Sequence, residues 1–452
     1  MEYFKIKENG SDVRKEVIGG ITTFLTMAYI IAVNANILGD PAVGMPSGAI
    51  VTVTCLTAGL TTIFMGLYAN LPFALASGMG LNAFFASVVI VGKVPWQVAL
   101  TAVFLEGIVF IILSLTNVRE AVVNAIPTTL KLAVTAGIGL FIAFIGFVDA
   151  GIVVSNKFTK VAMGNFTQPT VLITVIGVII IVVLSKKKVR GAILWGIAAS
   201  TLLAWLFAII SPVAATTYGI STPKGIFKFE SISPIAFKLN FSYLTDSTKI
   251  LQFLVIMLTF LFVDFFDTLG TLVGVASKVG MVDKNGNVKN CGRALLVDAV
   301  GTTVGAVLGT STVTTYVESS AGFAEGARTG LASVITGILF LIAMFFSPLF
   351  VAIPVCATAP ALIVVGFFMM ENIVKIDFSD FTEGVPAFLT IALMPLTYSI
   401  GDGLTMGILS YAVINFINNI FTKDHSKRKK VSIVIYILAG LFIAKLYFTG
   451  RQ

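Results

Sequence analysis

Apolar residues fill this chain in long unbroken runs, at roughly 17–38, 47–69, 72–91, 95–115, 131–148, 169–185, 191–211, 250–276, 293–309, 312–326, 328–346, 350–371, 384–399 and 402–421. A shorter run at 431–448 carries Lys445 and either spans a membrane or lies at its surface. A membrane-spanning helix needs about 20 residues, and outer-membrane barrels alternate apolar with polar positions, which these runs do not. The pattern therefore predicts an all-α membrane protein with about 14 transmembrane segments. The first run carries no small-residue cleavage signature and reads as a retained span rather than a signal peptide.

The longest polar stretch, 212–249, divides the fourteen runs into two groups of seven. Seven is odd, so the second group starts from the opposite side of the membrane, which is the arithmetic of a 7+7 inverted repeat. Thr23-Phe24-Leu25 recurs as Thr259-Phe260-Leu261 at an offset of 236, and the same offset carries Asn82 onto Glu318. The expected organisation is a cytoplasmic N-terminus (1–16), a first repeat (17–211), an extracellular connector (212–249), a second repeat (250–421) and a basic loop with a short apolar segment (422–452).

Charge supports this orientation. Lysine and arginine number 30 against 22 acidic residues, and with the N-terminus inside, 21 of those 30 fall on the cytoplasmic side. The net charge of +8 thus reflects topology and implies no nucleic-acid partner. Only Asp40, Lys93 and Glu106 carry charge between Val17 and Val118, which excludes a soluble enzyme. Cys55, Cys291 and Cys356 are too far apart for a zinc or disulfide framework, and the single histidine, His425, lies in a charged stretch, so no metal or cofactor is expected. No Walker A sequence is present, so nothing in the chain reads as ATP-driven.

Segments 3 and 10 are poor helices at their starts. One opens Leu71-Pro72-Phe73-Ala74-Leu75-Ala76-Ser77-Gly78, the other Thr310-Ser311-Thr312-Val313-Thr314-Thr315. Each reads as a short extended strand leading into a half-helix of about ten residues. Interrupted segments at matching places in two halves are the best sequence pointer to a transporter's binding site. Asn82 and Glu318 stand there. Segment 8 adds Asp264 and Asp267, three apart, with Thr268 and Thr271 continuing one helical face. Asp264 lies roughly 20 Å into its segment at the helical rise, and a carboxylate at membrane depth marks a substrate or proton path by default. Glu106 and Asp298 are weaker candidates, Asp298 because Arg293 is near in sequence, and Tyr29 reads first as packing. Several acids around one site disfavour an anionic ligand and suit a neutral or cationic molecule with N–H donors. Carboxyl groups able to hold a proton also make proton coupling economical, with Asp264 expected to contact the ligand and Asp267 to relay the proton.

Four stretches resemble the AzgA-like purine permeases, a branch of the nucleobase–cation symporters related to xanthine and uracil permeases. They are Gly20-Ile21-Thr22-Thr23-Phe24-Leu25-Thr26-Met27-Ala28-Tyr29, Ala76-Ser77-Gly78-Met79-Gly80-Leu81-Asn82-Ala83-Phe84-Phe85, Asp264-Phe265-Phe266-Asp267-Thr268-Leu269-Gly270-Thr271 and Gly309-Thr310-Ser311-Thr312-Val313-Thr314-Thr315-Tyr316-Val317-Glu318-Ser319. The resemblance runs from the N-terminus to about Phe421. It implies core domains at 17–115 and 250–346 and gate domains at 131–211 and 350–421, in a fold that admits a homodimer. It assigns Asp264, Glu318 and Asn82 to substrate binding and Asp267, with Asp264, to proton coupling. Thr268, Tyr316, Val317, Phe84 and Tyr29 would line the site. The implied activity is purine import across the cell membrane by proton symport and alternating access. A xanthine or uracil permease on the same fold is the alternative. An intramembrane aspartyl protease is remote, because Ser399 stands where its Gly-x-Gly-Asp motif needs glycine before Asp402; a channel would be told apart by the absence of counterflow.

Overall fold

The computed structural model describes residues 3–115, 127–278, 290–422 and 428–449. The first half runs α1 (Val13–Met27), α2 (Tyr29–Leu38), α3 (Ser47–Phe64) with a π-helical turn (Met65–Ala69), β1 (Leu75–Ser77), α4 (Met79–Ile90), α5 (Trp96–Leu115), α6 (Thr128–Asp149), a hairpin of β2 (Val153–Asn156) and β3 (Lys160–Met163), α7 (Pro169–Lys186) and α8 (Ala192–Ile210). The second runs α9 (Ile250–Lys278), α10 (Cys291–Leu308), β4 (Val313–Thr315), α11 (Ser319–Ala324), α12 (Gly330–Ala343), α13 (Val355–Met370), α14 (Phe381–Leu396) and α15 (Ile400–Phe421); a last helix, α16 (Ile433–Thr449), follows. Among the described residues, nine helices are long and apolar enough to cross a membrane. With α9 and the shorter α4, α11, α12 and α14 they make seven segments in each half. The chain is a multi-pass membrane protein built as 7+7 inverted repeats.

Several boundaries differ from the sequence expectation, each for a local reason. The first helix starts at Val13 rather than 17, because the Asp12 side chain accepts from the Lys15 N–H at 2.9 Å and caps it. Glu16 is then buried, accepting from the Arg328 N–H at 2.8 Å across the two halves. The second half-helix, α11, has six residues instead of about ten, since Gly326 takes φ +97° and turns the chain away. The β2–β3 hairpin was not expected; its turn is shaped by the Asn156 side-chain amide oxygen accepting from the Phe158 N–H at 2.8 Å.

The two interrupted segments meet in the middle of the molecule. β1 and β4 pair antiparallel, Leu75 with Thr315, Ala76 with Thr314 and Ser77 with Val313. A two-stranded ribbon leaves both outer edges unpaired, which hydrocarbon does not tolerate. One threonine closes each edge. Thr62 of α3 accepts from the Leu75 N–H at 2.9 Å and donates to its carbonyl at 3.0 Å. Thr302 of α10 does the same for Val313, at 3.2 and 2.9 Å. The devices occupy matching places in the two repeats.

Around the ribbon, α3 packs on α12, α1 on α12, and α5 on α10 and α9. A second group joins α6 to α13 and α14, α7 to α8, and α14 to α15. Glycines set the closest approaches. A Cβ on Gly59 would lie 2.9 Å from the Gly337 carbonyl oxygen, and one on Gly139 would lie 2.6 Å from that of Gly366. Helix α16 rests on α15 and α9.

Candidate functional site

The strand pair delivers side chains from both halves to one place. On the first-half side, Asn82 lies one turn inside α4 and is fully buried. Its carbonyl oxygen accepts from the Ser77 hydroxyl at 2.6 Å and from the Ser311 hydroxyl. The two serine oxygens are 2.8 Å apart, and Thr310 donates to Ser77 at 3.3 Å. Asn82 thus ties β1 to the entry of β4, and its amide N–H2 is the group left to offer a ligand, holding only a 3.5 Å contact to the Ser77 carbonyl. It is not positioned like Glu318. Asn82 comes five residues after β1, whereas Glu318 comes three after β4, at the N-terminal boundary of α11 with no side-chain capping bond.

Glu318 is half-buried, and Tyr29 of α2 donates to its Oε1 at 2.6 Å. Tyr29 is therefore a positioning group for this carboxylate rather than packing alone. Tyr316 is buried and donates to the Ser77 carbonyl at 2.6 Å, which fastens β4 to β1. Val317 is 51% exposed, the most open residue of this stretch. Asp267 of α9 is half-buried; it makes no hydrogen bond among the described residues and faces Glu318 and Tyr316 electrostatically.

The structure separates the two aspartates of α9. Asp264 is 0% exposed and faces Glu106 of α5, which is also 0% exposed. None of the four carboxyl oxygens of this pair has an aligned hydrogen bond. Asp298 of α10 stands beside them but is well supplied: Thr268 donates to one oxygen at 2.9 Å and Thr315 to the other at 3.4 Å. Thr268 also meets Thr314 of β4 at 2.7 Å, so it is a buried brace between α9, α10 and the strand. Asp298 is thus held by hydroxyls, and none of the ion pairs among the described residues involves Glu106, Asp264, Asp267, Asp298 or Glu318. Among the described residues no cluster of carboxylate, cysteine or histidine side chains is arranged to hold a metal ion.

A cavity of about 190 Å³ lies beside the part of α9 that precedes these acids. Phe84 and Val88 of α4, Val255 and Thr259 of α9, and Tyr398 and Asp402 at the start of α15 line it. Phe84 packs edge-on against Phe260, ring centres 4.7 Å apart, between this cavity and the acids further along α9. Glu106, the edge threonines and the Tyr29 contact were the parts of the site that sequence reading undervalued. Spacing along one segment does not show which residue of another segment it will meet.

The comparisons with known proteins follow the same lines. The family model Xan_ur_permease, described as Permease family, matches residues 14–405. The guanine/hypoxanthine permease PbuG of Bacillus subtilis is 44% identical over 454 residues, covering 99% of this chain and 98% of that protein. The adenine permease AdeP of Escherichia coli is 39% identical, covering 98% and 95%. Among solved structures, the transmembrane domain of a cyanobacterium bicarbonate transporter, BicA, superposes with a TM-score of 0.64 at 16% identity, covering 86% of this chain and 97% of that one, which is a likeness of fold. The chain is a member of the permease family.

Proposed function

We propose that this permease imports purine nucleobases by proton symport, through alternating access. The observation that carries this reading is that Glu318 and Asp267, both half-buried, face each other with no cation paired to either among the described residues. Two acceptor groups without a counter-charge suit a neutral, planar ligand bearing N–H donors and disfavour an anion. The relatives named guanine/hypoxanthine and adenine permease favour purines over xanthine or uracil. Exposure favours Asp267 as the α9 group that meets the base with Glu318, and Asp264 as the one reserved for the proton. The Asn82 amide contributes from the other half.

The two packing groups are the core and gate of this reading: α1–α5 and α9–α12 carry the site, and α6–α8 and α13–α15 move against it. The cavity between α4, α9 and α15 is then the outer approach, with Phe84 as its floor. The protein sits in the cell membrane with its N-terminus in the cytoplasm, and a homodimer fits the same fold.

Reconstituted vesicles test the reading. Labelled adenine, guanine or hypoxanthine accumulates under an inward proton gradient, and xanthine and uracil compete poorly. Accumulation that requires sodium removes the proton. Uptake that shows no counterflow identifies a channel. For orientation, a cysteine at Ser231 reacts with an impermeant reagent from outside and one at Ser185 from the cytoplasm; the reverse result inverts the topology.

A further inference from the structure

The proposed transport cycle leaves two acids at membrane depth without a task, Glu106 and Asp298, and of these Asp298 is held by threonine hydroxyls. Glu106 sits on α5, 0% exposed, and both of its carboxyl oxygens lack an aligned hydrogen bond. Its neighbour Asp264 is in the same condition. A polar group buried without a partner costs a few kcal/mol, and an isolated buried charge far more. Native structures keep such groups where they do something.

We propose that Glu106 and Asp264 form a shared proton-binding site, and that Glu106 is the second carboxyl of the proton-coupling step. The inference rests on the purine-symport reading and adds a residue to it. Two carboxyl groups facing each other away from water cannot both be ionised, so the pair keeps one proton between them. The surroundings match. From α10, Asp298 faces the pair with its own oxygens supplied by the Thr268 and Thr315 hydroxyls. From β4, only the Thr314 hydroxyl reaches Asp264, and from α9 itself the nearest titratable group is Asp267. No lysine or arginine pairs with any of them among the described residues. The ligand of such a pair is a proton; among the described residues these groups are not arranged to hold a metal ion.

The same elements connect this pair to the base. Asp267 follows Asp264 by one turn on α9 and faces Glu318. Thr314, which touches Thr268 and faces Asp264, lies on the strand that leads through Tyr316 to Glu318. Occupation of the Glu318 side therefore alters the donors offered to Asp264. The pair therefore cycles between one and two protons: the second is taken up with the site facing outside and released inside, so each neutral base carries one positive charge inward.

The test compares wild type, Glu106→Gln and Glu106→Asp in the same vesicles. Glutamine keeps the shape and cannot titrate. Glu106→Gln is expected to exchange labelled purine across the membrane within about threefold of wild type, while losing accumulation driven by a proton gradient and flattening the pH dependence of purine affinity. Glu106→Asp restores both in part. Glu106→Gln that still accumulates purine with the wild-type pH profile overturns the proposal. So does loss of exchange in both variants, which makes Glu106 a scaffold group. Wild-type vesicles that exchange no purine refute the parent reading instead, and the inference falls with it.

Discussion

The two interrupted segments are alike in backbone and unlike in chemistry. In the first half the chain crosses as β1 and a 12-residue helix, in the second as β4 and a 6-residue helix. Thr62 and Thr302 close the two ribbon edges in the same way. The groups presented differ. The first crossing offers Ser77 and Asn82, neutral and bonded to one another; the second offers Glu318, held by a single donor from Tyr29. The inversion repeats what keeps backbone satisfied in a dry environment, and selection for a ligand is then free to act on one crossing alone. The symmetric parts should therefore govern stability, and the asymmetric parts affinity.

The sharpest break of this comparison is Glu318→Gln. Replacing a charged acceptor at the ligand costs about 2–3 kcal/mol, or roughly 30- to 150-fold in purine affinity by calorimetry, with little change in melting temperature. Unchanged affinity removes Glu318 from the site. Next come Thr62→Val and Thr302→Val. Each leaves one buried N–H and one carbonyl without a partner, at about 1–3 kcal/mol, so both should lower thermal stability by similar amounts. A loss in one and not the other would mean the edges are not equivalent. Asn82→Ala should cost about 1–2 kcal/mol, mostly in stability, because the Ser77 and Ser311 hydroxyls lose their acceptor; purine affinity falls only a few-fold.

The smallest effect lies in a feature of the second half alone. Lys429, just before α16, donates to Asp380 at 2.6 Å and to Glu383 at 2.9 Å at the start of α14. The Lys429 ammonium, followed by Thr382, holds the Asp380 carboxyl below its usual 3.8. A lowered carboxylate pKa stabilises the fold above that usual value, and the gain is lost as pH falls through the lowered one. Both partners are partly exposed, so Lys429→Met should cost no more than about 1 kcal/mol near neutral pH. The gap in melting temperature from wild type should close under acid conditions; a gap that persists there would make the contact one of packing.

How much of this was legible beforehand differs by scale. Continuous apolar runs report spans because hydrocarbon demands helices that satisfy their own backbone. The odd count of seven, the Pro-Gly and β-branched openings of segments 3 and 10, and the acids at 264, 267 and 318 were all readable along the chain. The ends of elements were less so: an aspartate cap moved the first helix to Val13, and a glycine at positive φ shortened α11.

What the sequence alone determined is the membrane class, the two-repeat plan and the set of polar residues placed at depth. These follow from local rules, the cost of unsatisfied backbone and the cost of charge in hydrocarbon, which act on each segment separately. What only the tertiary structure decided is the division of labour among those residues. Asp264 and Asp267 look equivalent at a spacing of three, yet one is fully buried facing Glu106 and the other is half-buried facing Glu318. Asn82 looks like a ligand group and is largely occupied by Ser77 of β1 and by Ser311, two residues before β4. The direction a side chain faces depends on how distant segments pack around it, and burial of a carboxyl is set by its neighbours rather than by its place in the chain.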